Sequence, residues 1–304
     1  MIAGDRDQQR ATAGVTATST YLERLGARSA ATGTVLCLGL DPDPDALPTG
    51  FGRDLAALER FAALLLEAAV PHAAAVKPNL AFFEAYGSAG LAALERLRAT
   101  LPADLPVIAD AKRGDIGSTA ARQAVALFDR LGADAVTVNP YLGAEAVAPL
   151  LDRLDRFAYV LCRTSNPGAG ELQDLEVGAD PAHGSPAERL HERVARLATR
   201  WGPGGTVGLV VGATAPEELA RIRALAPGLP FLVPGVGAQG GAPEPVLEHG
   251  PAVAAPGADR PGRGLLVNVS RAIAGAATTE GPGDPFERVR AAAAEWASRL
   301  PVLP

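Results

Sequence analysis

The sequence predicts an α/β protein of the closed (β/α)8 class, the TIM barrel. Short apolar runs rich in Val, Ile and Leu alternate with Ala-, Leu-, Arg- and Glu-rich stretches of helical period, which is typical of repeated βα units. Eight such units within about 250 residues fit a closed barrel, whose chemistry lies on the loops that follow the strands. A doubly wound open sheet is the competing fold. It loses support because no Gly-x-Gly-x-x-Gly follows the first strand, where "LGLDPDPDALP" stands instead.

The predicted elements alternate regularly along the chain. In order, the strands cover 34–40, 73–77, 106–110, 134–138, 157–162, 206–211, 230–233 and 264–268. The predicted helices cover 18–30, 54–69, 88–100, 118–131, 143–154, 186–200, 215–225 and 285–299. Two Gly/Pro-rich stretches, 166–186 and 250–263, follow the fifth and seventh strands and predict long surface loops. The whole chain, 1–304, is therefore predicted to be one barrel domain with a flexible polar tail over about 1–15.

Composition excludes several classes of protein. The 304 residues are 48% apolar and 20% charged, without an apolar run of 18 residues, which predicts a soluble chain with no membrane span. A formal charge of -6 argues against a nucleic-acid or anionic-membrane surface, so an anionic ligand needs a local basic site. Cys37 and Cys162 lie in apolar runs and are expected to be core thiols rather than disulfide or metal partners. No secretory signal is read, so a cytoplasmic location is expected.

Charged residues recur where predicted strands end. Asp41 follows the first strand, Lys77 ends the second, and Asp110 and Lys112 come at the end of the third. Separately, each has an ordinary interpretation, such as a structural ion pair or a surface lysine. Together they form an alternating carboxylate and ammonium array at neighbouring strand mouths, which is typical of an electrostatic active site. Asp115 is either part of that site or an N-cap of the following helix, a role for which Ser118 competes.

Three later segments are candidates for ligand binding. The glycine-rich "VPGVGAQGG" (233–241) and "NVSRAI" (268–273) follow the last two strands, where barrels commonly bind phosphate. Gln239 offers an amide donor and Arg271 a bidentate fork, although the glycines alone are also compatible with a plain turn. "RTSNPGAG" (163–170) places Thr164, Ser165 and Asn166 after the fifth strand, either at a polar ligand face or in a turn. The four histidines lack the spacing of a metal site.

These segments together resemble a known family. "DAKRGDIGST" has the Asp-x-Lys-x-x-Asp-Ile-x-x-Thr pattern of orotidine 5'-phosphate decarboxylase, a ribulose-phosphate-binding-barrel enzyme. The similarity extends over nearly all of the chain after residue 30, through "LGLDPDP", "VKPNLAFFEAYG", "TVNPYLG", "RTSNPGA", "VPGVGAQGG" and "NVSRAI". The segments "KPN" and "TSNPG" look most like those of the bacterial and mycobacterial (type 2) branch. Related sugar-phosphate decarboxylases and aldolases, which commonly use a divalent metal, share the central Asp-x-Lys-x-x-Asp.

The resemblance implies a particular reaction that needs no cofactor. The expected reaction converts orotidine 5'-monophosphate to uridine 5'-monophosphate in pyrimidine synthesis, with neither metal nor organic cofactor. The resemblance also implies a homodimer. The net charge and composition already predict no nucleic-acid and no membrane partner.

The resemblance further implies roles for individual residues. Asp110 faces the substrate carboxylate, Lys112 attracts the developing carbanion and protonates it, and Lys77 keeps Asp110 ionised. Asp115, with Ile116 and Thr119, reaches across a homodimer interface into the partner's site. The substrate-binding set that the resemblance implies is Asp41, Ile116, Thr119, Ser165, Pro234, Gln239, Ser270 and Arg271.

Overall fold

A computed structural model describes residues 19–184, 186–279 and 283–303. Its eight barrel strands are β1 (Leu36–Leu40), β2 (Ala75–Pro78), β3 (Ile108–Arg113), β4 (Ala135–Val138), β5 (Phe157–Arg163), β6 (Val207–Val211), β7 (Phe231–Pro234) and β8 (Leu265–Val269). The predicted tail over 1–15 lies outside the described residues.

The strands close into a barrel of parallel neighbours in sequence order. Each strand pairs with the next from β3 to β8, and β8 pairs with β1, which pairs with β2. The last gap, between β2 and β3, is bridged by the parallel pairs Val76 with Val107 and Asn79 with Asp110. The predicted TIM barrel is therefore confirmed. All eight predicted strands are present, with ends that shift by a few residues.

Most α-helices of the described residues cover the outside of the barrel, and the first lies across its amino-terminal end. The α-helices are α1 (Tyr21–Thr32), α2 (Leu55–Ala69), α3 (Leu80–Glu84), α4 (Gly87–Ala99), α5 (Gly117–Ala124), α6 (Ala148–Leu151), α7 (Gly170–Gln173), α8 (Leu190–Ala198), α9 (Pro216–Leu225), α10 (Pro243–His249), α11 (Arg271–Ala274) and α12 (Pro285–Arg299). A π-helical segment, Val125–Arg130, continues α5. The apolar faces of the longer helices pack on the outer faces of the strands, which forms the main core.

Several loops are more structured than the sequence predicts. The stretch 166–186 contains α7 and the first strand of a short antiparallel hairpin, Glu176–Val177 with Glu188–Arg189. The helix predicted over 143–154 is reduced to α6, in which Pro149 lies in the first turn and disfavours helix over the residues before it. The helix predicted over 186–200 begins only at Leu190, because the hairpin uses the residues before it.

The amino-terminal end of the barrel is closed by α1. This helix begins with a capping box, in which Thr20 and Glu23 satisfy each other's backbone N–H groups, and it ends at Gly33 in the left-handed conformation. Its Tyr21 stacks on Phe157, with ring centroids 4.7 Å apart, and the hydroxyl groups of Tyr21 and Tyr159 are 3.1 Å apart. A compact interior cluster therefore fills the lower barrel and leaves the carboxyl-terminal mouth for a ligand.

The two cysteines are buried and free, as the sequence predicts. Burial raises the pKa of the Cys37 thiol to about 12, and burial also raises the pKa of Cys162, so both thiols stay protonated near neutral pH. Within the described ranges, the structure has no helix that combines the length and apolar character needed to cross a bilayer.

Candidate active site

A cavity of about 250 Å³ opens at the carboxyl-terminal mouth of the barrel. Charged residues line one side and apolar residues of β5, β6 and β7 line another. The lining residues are Lys77, Asp110, Lys112, Thr137, Leu161, Thr164, Ser165, Asn166, Val210, Leu232, Pro234 and Gln239. Six of these belong to the set that the family resemblance implies: Lys77, Asp110, Lys112, Ser165, Pro234 and Gln239. Thr164 and Asn166 come from the polar stretch predicted after the fifth strand.

The centre of the charged side is a carboxylate held between two ammonium groups. Asp110 Oδ2 accepts a hydrogen bond from Lys77 Nζ at 2.5 Å, and Asp110 Oδ1 accepts one from Lys112 Nζ at 2.6 Å. The side chains of Lys77 and Asp110 are 6% and 12% exposed, whereas that of Lys112 is 52% exposed. Lys77 and Asp110 therefore form a fixed buried pair, and Lys112 is the member of the array that a ligand can reach.

Asp110 and Lys77 keep their charges near neutral pH. Burial by itself would raise the pKa of Asp110, but the ammonium groups of Lys77 and Lys112 outweigh burial and hold that pKa well below its usual range. Burial would likewise lower the pKa of Lys77, but the carboxylates of Asp110 and Asp41 raise it to about 12. The mouth of the barrel thus carries a preformed pattern of fixed charges, which is the arrangement that stabilises charge developing on a ligand.

The backbone of β3 departs from a regular strand where Lys112 lies. The pairing of β3 with β4 is irregular between Ala109 and Arg113, and Lys112 has a φ of 48°. A side chain other than glycine is disfavoured in this left-handed region, and such strain is common at functional sites. β3 nevertheless runs to Arg113, past the predicted end at residue 110, and Lys112 lies inside the strand rather than after it.

Other predicted polar residues lie at the end of β1 and just beyond β8. Asp41 and Ser270 are partly buried, and their Asp41 Oδ1 and Ser270 Oγ atoms have no hydrogen-bond partner among the described residues. The same holds for Oδ1 of Asn268, which is 9% exposed. A Cβ atom on Gly39 would lie 2.6 Å from Cβ of Ser270 and 3.1 Å from the Asn268 amide, so only glycine leaves room for these side chains. Unpartnered polar atoms here suit a hydroxyl-rich ligand.

The glycine-rich loop after β7 contacts the loop after β5. Gly235, Gly237 and Gly240 all have positive φ, between 78° and 100°, and Gly241 N–H donates to the carbonyl oxygen of Gly235. A Cβ atom on Gly235 would lie 2.8 Å from Cβ of Ser165. Gln239 is exposed and lines the cavity from this loop.

Arg271 is exposed at the first position of α11 and forms no ion pair with any residue of the described ranges. Its guanidinium group is therefore free to meet an anion.

Asp115, Ile116 and Thr119 are not brought into the cavity of their own chain. Asp115 is partly buried and its Oδ1 accepts a hydrogen bond from the Ile116 N–H at 2.7 Å. The N-cap of α5 is Ile116, without a side-chain cap, so neither Asp115 nor Ser118 has the alternative role of N-cap. Both Ile116 and Thr119 are exposed.

Sequence reasoning missed two polar residues near the site. Thr137 lines the cavity, and Asn268 lies buried near Gly39. Only their positions within predicted strands could have indicated that they face the site. Thr137 lies two residues after Ala135, a member of the interior cluster, and alternate residues of a strand face the same side.

Fold and site together define a (β/α)8-barrel enzyme with a charged site at the carboxyl ends of its strands. Residues 34–281 match the model of the orotidine 5'-phosphate decarboxylase / HUMPS family. The orotidine 5'-phosphate decarboxylase of Halorubrum lacusprofundi is 47% identical over 284 residues, which cover 92% of this chain and 96% of the relative.

Solved structures agree with this match. A Leishmania donovani OMP decarboxylase has a TM-score of 0.75 at 39% identity and covers 92% of this chain and 97% of its own. The L. donovani UMP synthase has a TM-score of 0.77 at 41% identity, and this chain spans 56% of its length. The chain belongs to the orotidine 5'-phosphate decarboxylase / HUMPS family, as its motifs predict.

Proposed function

We propose that this chain is an orotidine 5'-phosphate decarboxylase, which converts orotidine 5'-monophosphate to uridine 5'-monophosphate and CO2 in pyrimidine biosynthesis. The observation that carries the proposal is the Lys77–Asp110–Lys112 array at the cavity of a chain that belongs to this family. Relatives that share 43–48% identity with it carry the name of this enzyme.

The chemical difficulty of the reaction is the electron pair left on the ring. When the bond between C6 and the carboxylate breaks, CO2 leaves and both bonding electrons remain on C6, where no cofactor accepts them. In the proposed mechanism the Lys112 ammonium lies beside C6, stabilises this charge, and transfers one proton from Nζ to C6. The resulting amine recovers its proton from water. Lys112 suits this role because its side chain is half exposed to the cavity mouth.

Asp110 supplies a fixed negative charge beside the substrate carboxylate. Two like charges about 4 Å apart at an effective dielectric constant of about 20 repel by about 4 kcal/mol. Enzymes lower barriers by about 8–23 kcal/mol, so repulsion in the ground state is only a part of the effect. The larger part is proposed to come from stabilisation of the carbanion by Lys112 and from binding energy of the remote phosphate, which holds the ring in place.

The polar atoms around the cavity suit the rest of the nucleotide. Asp41, with its unpartnered Oδ1, and Lys77 are proposed to bind ribose hydroxyl groups, and Ser165 the pyrimidine. Gln239 and Arg271 are proposed to hold the phosphate, supported by the loop at Pro234. Ser270 precedes α11 and adds a hydroxyl group to the same end of the site.

The unit proposed to be active is a homodimer. Asp115 and Thr119 are proposed to enter the site of the partner subunit, which accounts for their position outside the cavity of their own chain. The neighbourhood of these residues is apolar and open: Ile116, Tyr141 and Leu142 are 63%, 75% and 55% exposed. Exposed apolar residues that are close together are typical of a surface covered by another protein.

Further parts of the proposal concern the chain as a whole. We propose that the chain forms one barrel domain of the bacterial and mycobacterial branch. We also propose that it acts in the cytoplasm on its nucleotide alone, with no nucleic acid or membrane partner.

The second candidate is a metal-dependent sugar-phosphate lyase. The name of the matching family includes HUMPS proteins beside the decarboxylase, and sugar-phosphate enzymes related to the decarboxylase share its Asp-x-Lys-x-x-Asp pattern. Incubation of the purified protein with orotidine 5'-monophosphate and EDTA, followed by the loss of orotate absorbance, separates the two candidates. The proposed decarboxylase consumes the nucleotide at the same rate with and without EDTA. A chain that leaves the nucleotide unchanged, or that loses its activity on chelation, contradicts the proposal. The Lys112→Ala variant is the matched control for a contaminating activity.

A further inference from the structure

Thr137 is a buried residue whose hydroxyl group connects three atoms of the strained part of β3. It lies on β4 and is 2% exposed. Its Oγ1 donates to Asp110 Oδ1 at 3.0 Å and accepts from the backbone N–H groups of Ala111 and Lys112, both at 3.0 Å. A hydroxyl group has one donor and two acceptor positions, so its hydrogen-bonding capacity is fully used.

The direction of these bonds follows from chemistry. Backbone N–H groups can only donate, and an ionised carboxylate can only accept. The Thr137 proton must therefore point to Asp110, while its two lone pairs face Ala111 and Lys112. The carboxylate that accepts this proton lies between the ammonium groups of Lys77 and Lys112.

Thr137 replaces backbone pairing that the irregular strand has lost. The regular pairing of β3 with β4 is interrupted between Ala109 and Arg113, where a continuous strand would place the N–H groups of Ala111 and Lys112 against carbonyl groups. The Thr137 hydroxyl receives both of them instead. It thereby supports the left-handed conformation of Lys112, whose φ is 48°.

This conformation places the Lys112 side chain. From its strained backbone, the Lys112 ammonium returns to Asp110 Oδ1, the oxygen to which Thr137 also donates. The backbone and the side-chain partner of Lys112 are thus held by one atom of a neighbouring strand. If Lys112 moves its ammonium group toward a ligand, Asp110 Oδ1 still has a hydrogen-bond donor.

We propose that Thr137 is a positioning residue of the reaction, which holds the Lys112 backbone and the Asp110 carboxylate in their working geometry. The inference rests on the proposed function, because it is for protonation at C6 that the ammonium of Lys112 must be placed. Thr137 acts through these two residues.

Three variants test this role. Thr137→Val keeps the shape and removes the hydroxyl group, and Thr137→Ser keeps the hydroxyl group and removes the methyl group. Thr206→Val is the matched control, since Thr206 is also buried in the barrel, is 1% exposed, and has an Oγ1 without a hydrogen-bond partner among the described residues.

The kinetic readout is kcat and KM for orotidine 5'-monophosphate, together with the Kd of uridine 5'-monophosphate. We expect Thr137→Val to lower kcat by about 10-fold to 100-fold, as small misplacements of a catalytic group do. The Kd should stay within about threefold of wild type, since no group that binds nucleotide is removed. Thr137→Ser and Thr206→Val should both keep kcat within about threefold. Wild-type kcat in Thr137→Val, or a Thr137→Ser enzyme as slow as the valine variant, overturns the proposal.

Amide hydrogen exchange gives a second readout that needs no turnover. Removing the Thr137 hydroxyl should speed exchange at Ala111 and Lys112 by about tenfold or more, whereas Thr206→Val should leave both amides unchanged. Unchanged exchange in Thr137→Val also overturns the proposal. If the wild-type protein does not decarboxylate the nucleotide, the proposed function fails, and the exchange data still decide whether Thr137 holds this segment.

Discussion

The unequal burial of the two lysines that bind Asp110 gives the most direct prediction. Lys77 and Lys112 contact the same carboxylate at 2.5 and 2.6 Å, but their side chains are 6% and 52% exposed. Replacing either lysine with methionine keeps most of the apolar stem and removes one charge. We expect Lys77→Met to destabilise the fold strongly and Lys112→Met to affect it little.

The magnitudes follow from the environment of each pair. Removing one partner of a buried ion pair costs about 3–5 kcal/mol, because the other charge remains buried without compensation. Lys112 still neutralises Asp110 in the Lys77→Met variant, so we expect the lower end, about 3 kcal/mol. A pair with one exposed partner contributes about 0–1 kcal/mol, which is the effect expected for Lys112→Met.

Urea unfolding at pH 7, followed by circular dichroism, measures the free energy of unfolding of each variant. The same two substitutions in an Asp110→Asn background form double-mutant cycles, in which Lys77→Met should lose much of its effect. Turnover should respond differently from stability. Lys112→Met, which affects stability little, should abolish turnover if Lys112 is the proton donor. Equal loss of stability in both lysine variants, or a Lys77→Met protein as stable as wild type, would refute the reasoning.

Three further predictions concern the phosphate site, the dimer and pH. Arg271→Ala should lower kcat/KM for the nucleotide by about 10-fold to 100-fold, as expected for a charge-assisted hydrogen bond, and should leave unphosphorylated orotidine unaffected; equal losses on both substrates contradict the phosphate role. Mixed Lys112→Ala and Asp115→Ala subunits should regain about a quarter of wild-type activity, because half of the dimers then contain one intact site; no recovery after mixing argues against sharing across the interface. Since the pKa of Asp110 is lowered in the fold, its contribution to stability is present above about pH 4 and lost as pH falls. The pKa of Lys77 is raised to about 12, so its contribution is present below about pH 10 and lost as pH rises through 12. Unfolding measured at pH 3, 7 and 11 should therefore show the largest difference between wild type and Lys77→Met at pH 7, and a constant difference would contradict these assignments.

The barrel could be predicted from sequence because its strands are buried on both faces. Such strands appear as continuous apolar runs, and each of the eight predicted runs contains a strand. The ends of β3 and β5 could not be predicted in the same way. Both strands continue into polar residues, to Arg113 and Arg163, where the apolar run has already ended. Specific partners make this possible: Arg163, for example, forms two hydrogen bonds with the Asp174 carboxylate, at 2.9 and 3.1 Å.

The charged part of the site could be predicted because charged residues are unusual at the end of a buried strand. A buried strand rarely contains Asp or Lys, so Asp110 and Lys112 stand out at the end of an apolar run. Thr137 gives no such signal, because threonine is common in strands and "AVTV" reads as an ordinary one. Its importance appears only when the irregular backbone of β3 is known, which no local pattern of residues specifies.

Lys77 and Asp110 are buried and Lys112 is exposed, which implies that the two lysines have different roles. Asp110 Oδ2 is held by the buried Lys77, and Oδ1 is shared by Thr137 and the exposed Lys112. An ammonium group that leaves a buried carboxylate normally leaves a costly unpaired charge behind. Here Lys77 and Thr137 stay with Asp110, so Lys112 can exchange its partner for a ligand at much smaller cost. We therefore expect the chemistry to depend on the most exposed charge of the array, while the buried pair keeps the electrostatic field constant.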